Sequence, residues 1–196
     1  MKKLILALLL FVSNAHALEL VTRTDYLNTR NNGSDDAYGI VARLEQPVWR
    51  EFSVAAEFDY HARQKFPSIN DSKGSFGSLY GYGLMGNVIF RPLVNWKFSP
   101  YFIAGAGYFW WDFKENPFLQ DNHVTVDVDP SIAFKTGLGF DFWLNDKWAL
   151  NFEASYFNTK IDKLATDDNG TEWNILGDEL IGNEQWNIGA GLKYKF

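Results

Sequence analysis

Read backwards from its last residue, the chain alternates with a period of two. Trp186, Ile188, Ala190, Leu192, Tyr194 and Phe196 share one parity, and Gln185, Asn187, Gly189, Gly191, Lys193 and Lys195 share the other. Successive side chains of a β-strand point to opposite faces, so such a segment lays one face in an apolar medium and the other in water. The pattern recurs upstream. Trp148, Leu150, Phe152, Ala154 and Tyr156 alternate with Asn151, Glu153 and Ser155, and Ile132, Phe134, Thr136, Leu138, Phe140 and Phe142 with Lys135, Gly137, Gly139 and Asp141. Tyr80, Tyr82, Leu84, Val88 and Phe90 oppose Gly81, Gly83, Asn87 and Arg91, while Phe52, Val54, Ala56, Phe58 and Tyr60 oppose Glu57, Asp59 and His61. Tyr38, Ile40, Ala42 and Leu44 with Arg43 and Glu45 form a shorter segment, and residues 101–112 and 18–28 read as strands whose faces separate less cleanly.

These eight segments are joined by two kinds of connector in alternation. Residues 47–51, 92–99 and 144–147 are short, whereas 31–36, 67–77, 115–129 and 163–183 are polar and mostly longer. Tight turns on one side and long loops on the other are the asymmetry of a membrane barrel with its turns in the periplasm. The expected fold is therefore all-β: an eight-stranded antiparallel transmembrane up-and-down β-barrel with both termini periplasmic.

The glycines decide which face points out. Gly81, Gly83, Gly137, Gly139, Gly189 and Gly191 lie on the polar parity, and an eight-stranded barrel has an interior just wide enough for side chains to fill. A face carrying a large ring from every strand does not fit inside. The eight steps from Phe52 to Tyr60, at about 3.3 Å each and tilted by about 40°, span roughly 20 Å of height. Tyr38, Phe52, Tyr60, Tyr80, Phe90, Trp148, Tyr156 and Trp186 are accordingly expected at the two edges of the apolar band, as membrane-interface aromatics.

The first residues set the address. Lys2 and Lys3, an apolar run over residues 4–12 and Ala15-His16-Ala17 form the charged, apolar and small-x-small parts of a secretory signal peptide. The run is too short to cross a bilayer as a helix, which needs about 20 residues. Residues 1–17 are expected to be removed, leaving 18–196 as one barrel domain in the outer membrane. Losing Lys2 and Lys3 takes the formal net charge from −6 to −8, which argues against a nucleic-acid partner. The chain has no cysteine, hence neither disulfides nor a lipid-anchor cysteine. Aromatic residues make up 17%, the composition of a lipid-facing strand wall rather than of an ordinary soluble domain.

The ending Gly191-Leu192-Lys193-Tyr194-Lys195-Phe196 resembles the terminal-strand signal read by the barrel assembly machinery of the outer membrane. Pro100-Tyr101-Phe102-Ile103-Ala104-Gly105-Ala106-Gly107-Tyr108 is similar to the central strand of the OmpA-type and OmpW-type small barrels. Gly137-Leu138-Gly139-Phe140-Asp141 followed by Leu144-Asn145-Asp146-Lys147-Trp148 resembles their sixth-to-seventh strand hairpin. The resemblance implies an assembly role for Leu192, Tyr194 and Phe196, and a setting among outer-membrane lipids and lipopolysaccharide. No appended peptidoglycan-binding domain is expected. For some OmpW-like relatives it implies a narrow or gated conduit for small molecules, hydrophobic ones included.

Small barrels also include lipid-modifying enzymes. A hydrolase of that kind needs a hydroxyl nucleophile within reach of an imidazole base and a group to orient the base. Beyond the leader the only histidines are His61, on the inward parity without a serine near it in sequence, and His123, in a loop. No catalytic residue, cofactor or structural metal is assigned. Asp167-Asp168-Asn169-Gly170 fails the helix-loop-helix calcium spacing and reads as an Asn-Gly turn. The inward parity instead carries Arg43, Glu45, Glu57, Asp59, Arg91, Lys135, Asp141, Glu153, Lys193 and Lys195. Such a set either lines a selective pore or pairs across a narrow lumen; the balance of signs favours pairing, because an unpaired charge in a tight interior costs several kcal/mol. The long loops are acidic: Asp35, Asp36, Asp71, Glu115, Asp121, Asp127, Asp129, Asp167, Asp168, Glu172, Asp178 and Glu179 stand against Lys73 and Lys163. They are either a solvated surface or a place where divalent cations bridge carboxylates to lipid phosphates. The expected function is a non-enzymatic envelope barrel that stabilises the membrane or presents its loops, with a conduit as the second reading and a lipid-modifying enzyme as the third.

Overall fold

The computed structural model describes residues 18–29, 36–67, 75–93, 96–115, 125–160, 163–166, 172–173 and 182–196. The leader, His123, the Asp167–Gly170 turn and most of the acidic loop residues lie outside them. Among the described residues there are eleven strands: β1 (Glu19–Thr29), β2 (Ala37–Pro47), β3 (Phe52–Pro67), β4 (Ser75–Phe90), β5 (Phe98–Glu115), β6 (Thr125–Val128), β7 (Ser131–Trp143), β8 (Trp148–Lys160), β9 (Lys163–Thr166), β10 (Glu172–Trp173) and β11 (Gly182–Lys195).

Eight of them close into an antiparallel barrel in the order β1-β11-β8-β7-β5-β4-β3-β2. Each strand pairs with its neighbours in the chain, apart from the short outlying strands. The first and last strands seal the sheet through a register running from Glu19 opposite Lys195 to Thr29 opposite Gln185, extended by Phe196 N–H donating to Leu18 O at 3.0 Å. Closure removes the unpaired edges that a flat sheet would expose. The short turns lie at one end. Asn145 stabilises the one between β7 and β8, its Oδ1 accepting from the backbone N–H of Lys147 and Trp148, both at 2.9 Å.

The long connections contain short strands that their polar composition does not suggest. Two segments expected as irregular loops, 115–129 and 163–183, contain β6, β9 and β10, which form a separate sheet in the order β10-β9-β6. These strands have four residues or fewer, too few for a period of two to declare itself. β3 and β4 likewise run past the expected barrel edge, with a register shift between His61 and Gln64.

Along every barrel strand the parity of burial alternates. On β1, whose faces were hard to separate in the sequence, Glu19, Val21, Arg23, Asp25 and Leu27 point inward, and Thr22, Thr24, Tyr26 and Asn28 outward. The outer wall carries exposed apolar groups such as Ile40, Leu84, Ile132, Phe134 and Ile188. The interior is not free of rings: Tyr101, Phe109, Trp111, Phe113 and Phe157 are buried inside. Glycines on the adjacent strand make the space. Gly83 stands opposite Phe109, Gly81 opposite Trp111 and Gly139 opposite Tyr101, and a Cβ at any of these would run into the ring beside it. These three glycines thus mark where large inward rings from β5 pack against the neighbouring strands.

Candidate functional site: the lumen

Three levels fill the interior. Nearest the short turns, Glu45 on β2, Arg91 after β4, Asp141 on β7 and Lys193 on β11 converge from four parts of the wall. Arg91 Nη2 reaches Glu45 Oε2 at 2.6 Å and Asp141 Oδ2 at 3.3 Å. Lys193 Nζ reaches Glu45 Oε2 at 2.7 Å, Asp141 Oδ2 at 2.9 Å and Glu19 Oε2 at 2.6 Å. Asn151 Nδ2 donates to Asp141 Oδ1 at 2.7 Å.

The second level gathers Arg23, Asp25, Glu57, Lys135 and Glu153. Lys135 Nζ bridges Glu57 Oε1 at 2.7 Å and Glu153 Oε1 at 2.9 Å. Arg23 pairs with Asp25 on its own strand and, through Nη1, with Glu153 Oε2 at 2.9 Å. Arg43 joins the two levels: its Nε contacts Glu45 at 2.8 Å, while its Nη1 contacts Glu57 at 3.1 Å and Glu153 at 2.6 Å. Tyr101 lies at the same junction. Its hydroxyl donates to Glu153 at 2.9 Å and accepts from Asn151 at 3.0 Å, and its ring faces the guanidinium groups of Arg43 and Arg91 at 5.6 and 5.2 Å.

Above the charges the lumen carries rings and aliphatic side chains beside buried amides and hydroxyls, Gln185, Asn187, Ser155 and Thr159. His61 is enclosed by Phe109, Phe157 and Trp111, with ring centroids 5.1, 5.2 and 5.9 Å away, and Leu27 on β1, Leu79 on β4 and Phe113 on β5 are buried on the inward faces of their strands. His61 Nδ1 has no hydrogen-bond partner.

Eight of the ten inward charges expected from sequence therefore meet in one ionic network. The other two do not. Asp59 is buried on the same face as Glu57, but its Oδ1 lacks a hydrogen-bond partner. Lys195 is a correction: it shares the inward parity but sits at the last rung of β11, where the wall ends, and its side chain is exposed. The network also includes Glu19, Arg23, Asp25, Tyr101 and Asn151, which sequence reasoning missed. The parity of β1 was the available signal, obscured because Val21 and Leu27 point inward while Thr22, Thr24 and Asn28 point outward.

The expected interface rings stand on the outer wall in two tiers. Phe52 and Phe90 pair at 5.0 Å, and Trp148 packs on Tyr194 at 4.7 Å, toward the short turns. Tyr156 and Trp186 meet at 5.4 Å toward the other end, where Tyr38, Tyr60 and Tyr80 also lie. Of the terminal residues, Leu192 and Phe196 are exposed and Tyr194 is half-buried between Trp148 and Phe196. Asp36, at the loop end of β2, accepts hydrogen bonds from Tyr26 and Asn28. Among the described residues no group of three or more histidine or acidic side chains is placed to hold a metal ion.

Residues 6–196 match the family described as outer membrane protein beta-barrel domain. An outer-membrane protein of Sinorhizobium fredii, y4mB, is 29% identical over 103 residues, a match covering 50% of this chain and 40% of that protein. Among solved structures, OprG from Pseudomonas aeruginosa superposes with a TM-score of 0.70 at 13% identity, covering 92% of this chain and 95% of OprG. Neisserial surface protein A gives 0.62 at 11% identity, covering 91% and 97%. Outer membrane protein W of E. coli gives 0.54 at 13% identity, covering 92% and 97%. At such identities these likenesses establish the fold.

Proposed function

Because the chain belongs to the outer membrane protein beta-barrel domain family, we propose that it is a non-enzymatic outer-membrane barrel with a closed lumen, one that stabilises the envelope or presents its outer loops. The short turns and both termini face the periplasm, and the long connections with the β6-β9-β10 sheet face outward. One observation supports the closed lumen above the others: every described cation of the interior, Arg23, Arg43, Arg91, Lys135 and Lys193, is in contact with a carboxylate. Several of these contacts cross the barrel. Charges satisfied by each other leave no need for a water column, and eight strands leave little room for one.

The runner-up is a narrow conduit for small hydrophobic molecules. The ring-lined level around His61 favours it, since a hydrophobic solute entering from the loop side would meet Trp111, Phe109 and Phe157 before the ionic network. A deletion strain separates the two. The envelope reading expects raised sensitivity to detergents and to chelators of divalent cations, restored by the wild-type gene. A strain with an intact permeability barrier but impaired uptake of small apolar solutes would transfer the assignment to the conduit.

A further inference from the structure

One buried acid of the interior stands apart from the ionic network. The described residues place seven carboxylates inside the barrel, Asp59 and the six that the network engages, against the five cations Arg23, Arg43, Arg91, Lys135 and Lys193. Among the described residues no ion pair reaches Asp59, which is 3% exposed, and its Oδ1 has no hydrogen-bond partner. Three more side chains share that condition: Ser155 Oγ, Asn187 Oδ1 and both polar atoms of Gln185 are buried without a partner. Buried polar groups are paired in nearly all native interiors, and a buried charge is paired or bound to an ion. Four such side chains, one of them ionic, mark a ligand.

Register brings these groups together. A rung of paired residues followed once around the wall, from Tyr101 through Glu153, Asp25 and His61, returns to β5 at Trp111, ten residues up the strand. The rung thus climbs a little over one residue, about 4 Å, per strand crossed. With that rise allowed for, Asp59 on β3, Asn187 on β11 and Ser155 on β8 lie within about one residue step, roughly 3.3 Å, of a common height. Gln185 is the next inward residue of β11. Asn187 and Ser155 are cross-strand partners, and β8 lies four strands from β3 around the closed wall, so these oxygens face Asp59 across the lumen. Lys135 is at the same height, but its ammonium group is held by Glu57 and Glu153 at 2.7 and 2.9 Å. Toward the loops the level is covered by rings, Phe109 packing on Phe157 at 4.8 Å and on Trp111 at 5.4 Å.

We infer that this level of the lumen is a binding site for one monovalent alkali cation. Asp59 is its charged ligand, and the amide and hydroxyl oxygens of Asn187, Gln185 and Ser155 hold it directly or through a bound water. Oxygen ligands suit hard cations. A calcium site gathers several carboxylates, whereas Asp59 is the one acid here without a cation. Water by itself would satisfy the hydrogen bonds and leave the charge unbalanced. The rings pack on one another and leave no slot for the apolar tail of an organic cation. The site rests on the closed lumen proposed above.

Urea unfolding of the full barrel in phosphatidylcholine vesicles tests the site, with sodium chloride compared against choline chloride at equal ionic strength. The measurement is made at about pH 8, above the ordinary titration range of histidine. The wild type is expected to be more stable in sodium: at about 150 mM, a site with a Kd of about 15 mM raises the folding equilibrium constant about tenfold. Asp59→Asn abolishes the difference, and in choline it is more stable than the wild type because the unpaired charge is gone. Asn187→Leu lowers the sodium effect several-fold. A heat-dependent shift in gel migration verifies folding, and the wild-type comparison of the two salts stands without either variant. Equal wild-type stability in the two salts would overturn the site. Asp59→Asn would then separate the causes: a gain of the same factor in both salts marks a closed lumen without an ion, and no change in either marks an open one. A sodium effect retained in Asp59→Asn would place the ion elsewhere and overturn the assignment. Stabilisation that ignores the cation and grows as the pH falls would give Asp59 a proton in its place.

Discussion

Lys135 shows what a single side chain contributes to the interior. Its ammonium group, 4% exposed as a residue, lies between Glu57 and Glu153. Removing it leaves two carboxylates sharing Arg43 and Arg23 in a site that water does not reach, and breaking a buried pair from one side costs about 3–5 kcal/mol. Lys135→Met is therefore expected to lower unfolding stability by that order. Combining it with Glu57→Gln should cost less than the single change, since the second substitution removes the stranded charge. Urea unfolding of the barrel in lipid vesicles measures both. Were the interior water-filled, solvent would screen each charge and neither variant would shift the transition by more than about 1 kcal/mol.

At the scale of elements, pairing between β4 and β5 joins two features that look opposed in sequence. Glycines on one strand and rings on the other form a single packed layer, so Gly83→Val should force the Phe109 ring aside and lower stability by about 1–3 kcal/mol. Phe109→Leu in the same chain should recover part of the loss. The last strand makes a different prediction. Phe196 is 62% exposed, so its deletion removes little burial. If it acts as an assembly signal, the deletion should lower the surface level in cells while refolding into detergent micelles proceeds nearly as in wild type. The same elements show what could be read beforehand. β11, β8 and β7 announce themselves because apolar-out and polar-in coincide with parity. β1 does not, since its outward Thr22, Thr24 and Asn28 are no more apolar than its inward Val21 and Leu27. β5 misleads because Phe109, Trp111 and Phe113 face inward with the charges below them. Most of the ionic network was legible, because a charge on the inward parity of a narrow barrel has few destinations. Which acid meets which base was not, because those contacts depend on shear and register: Lys193 and Glu45 are 148 residues apart.

For the molecule as a whole, two regions carry different work. The wall supplies an apolar surface to the membrane, with rings in two tiers at its edges. The interior gives cohesion: a paired ionic column joined by Arg43 and Tyr101 and capped by the ring cluster around His61. A barrel built this way has few degrees of freedom at its centre. The account stands on the lumen being closed, and single-channel recording in planar bilayers tests that directly. The wild type should give only small or rare openings at physiological salt. Frequent, long-lived openings in the unmodified protein, with ion selectivity that changes sign or magnitude on substituting Arg43 or Glu153 singly, would contradict it.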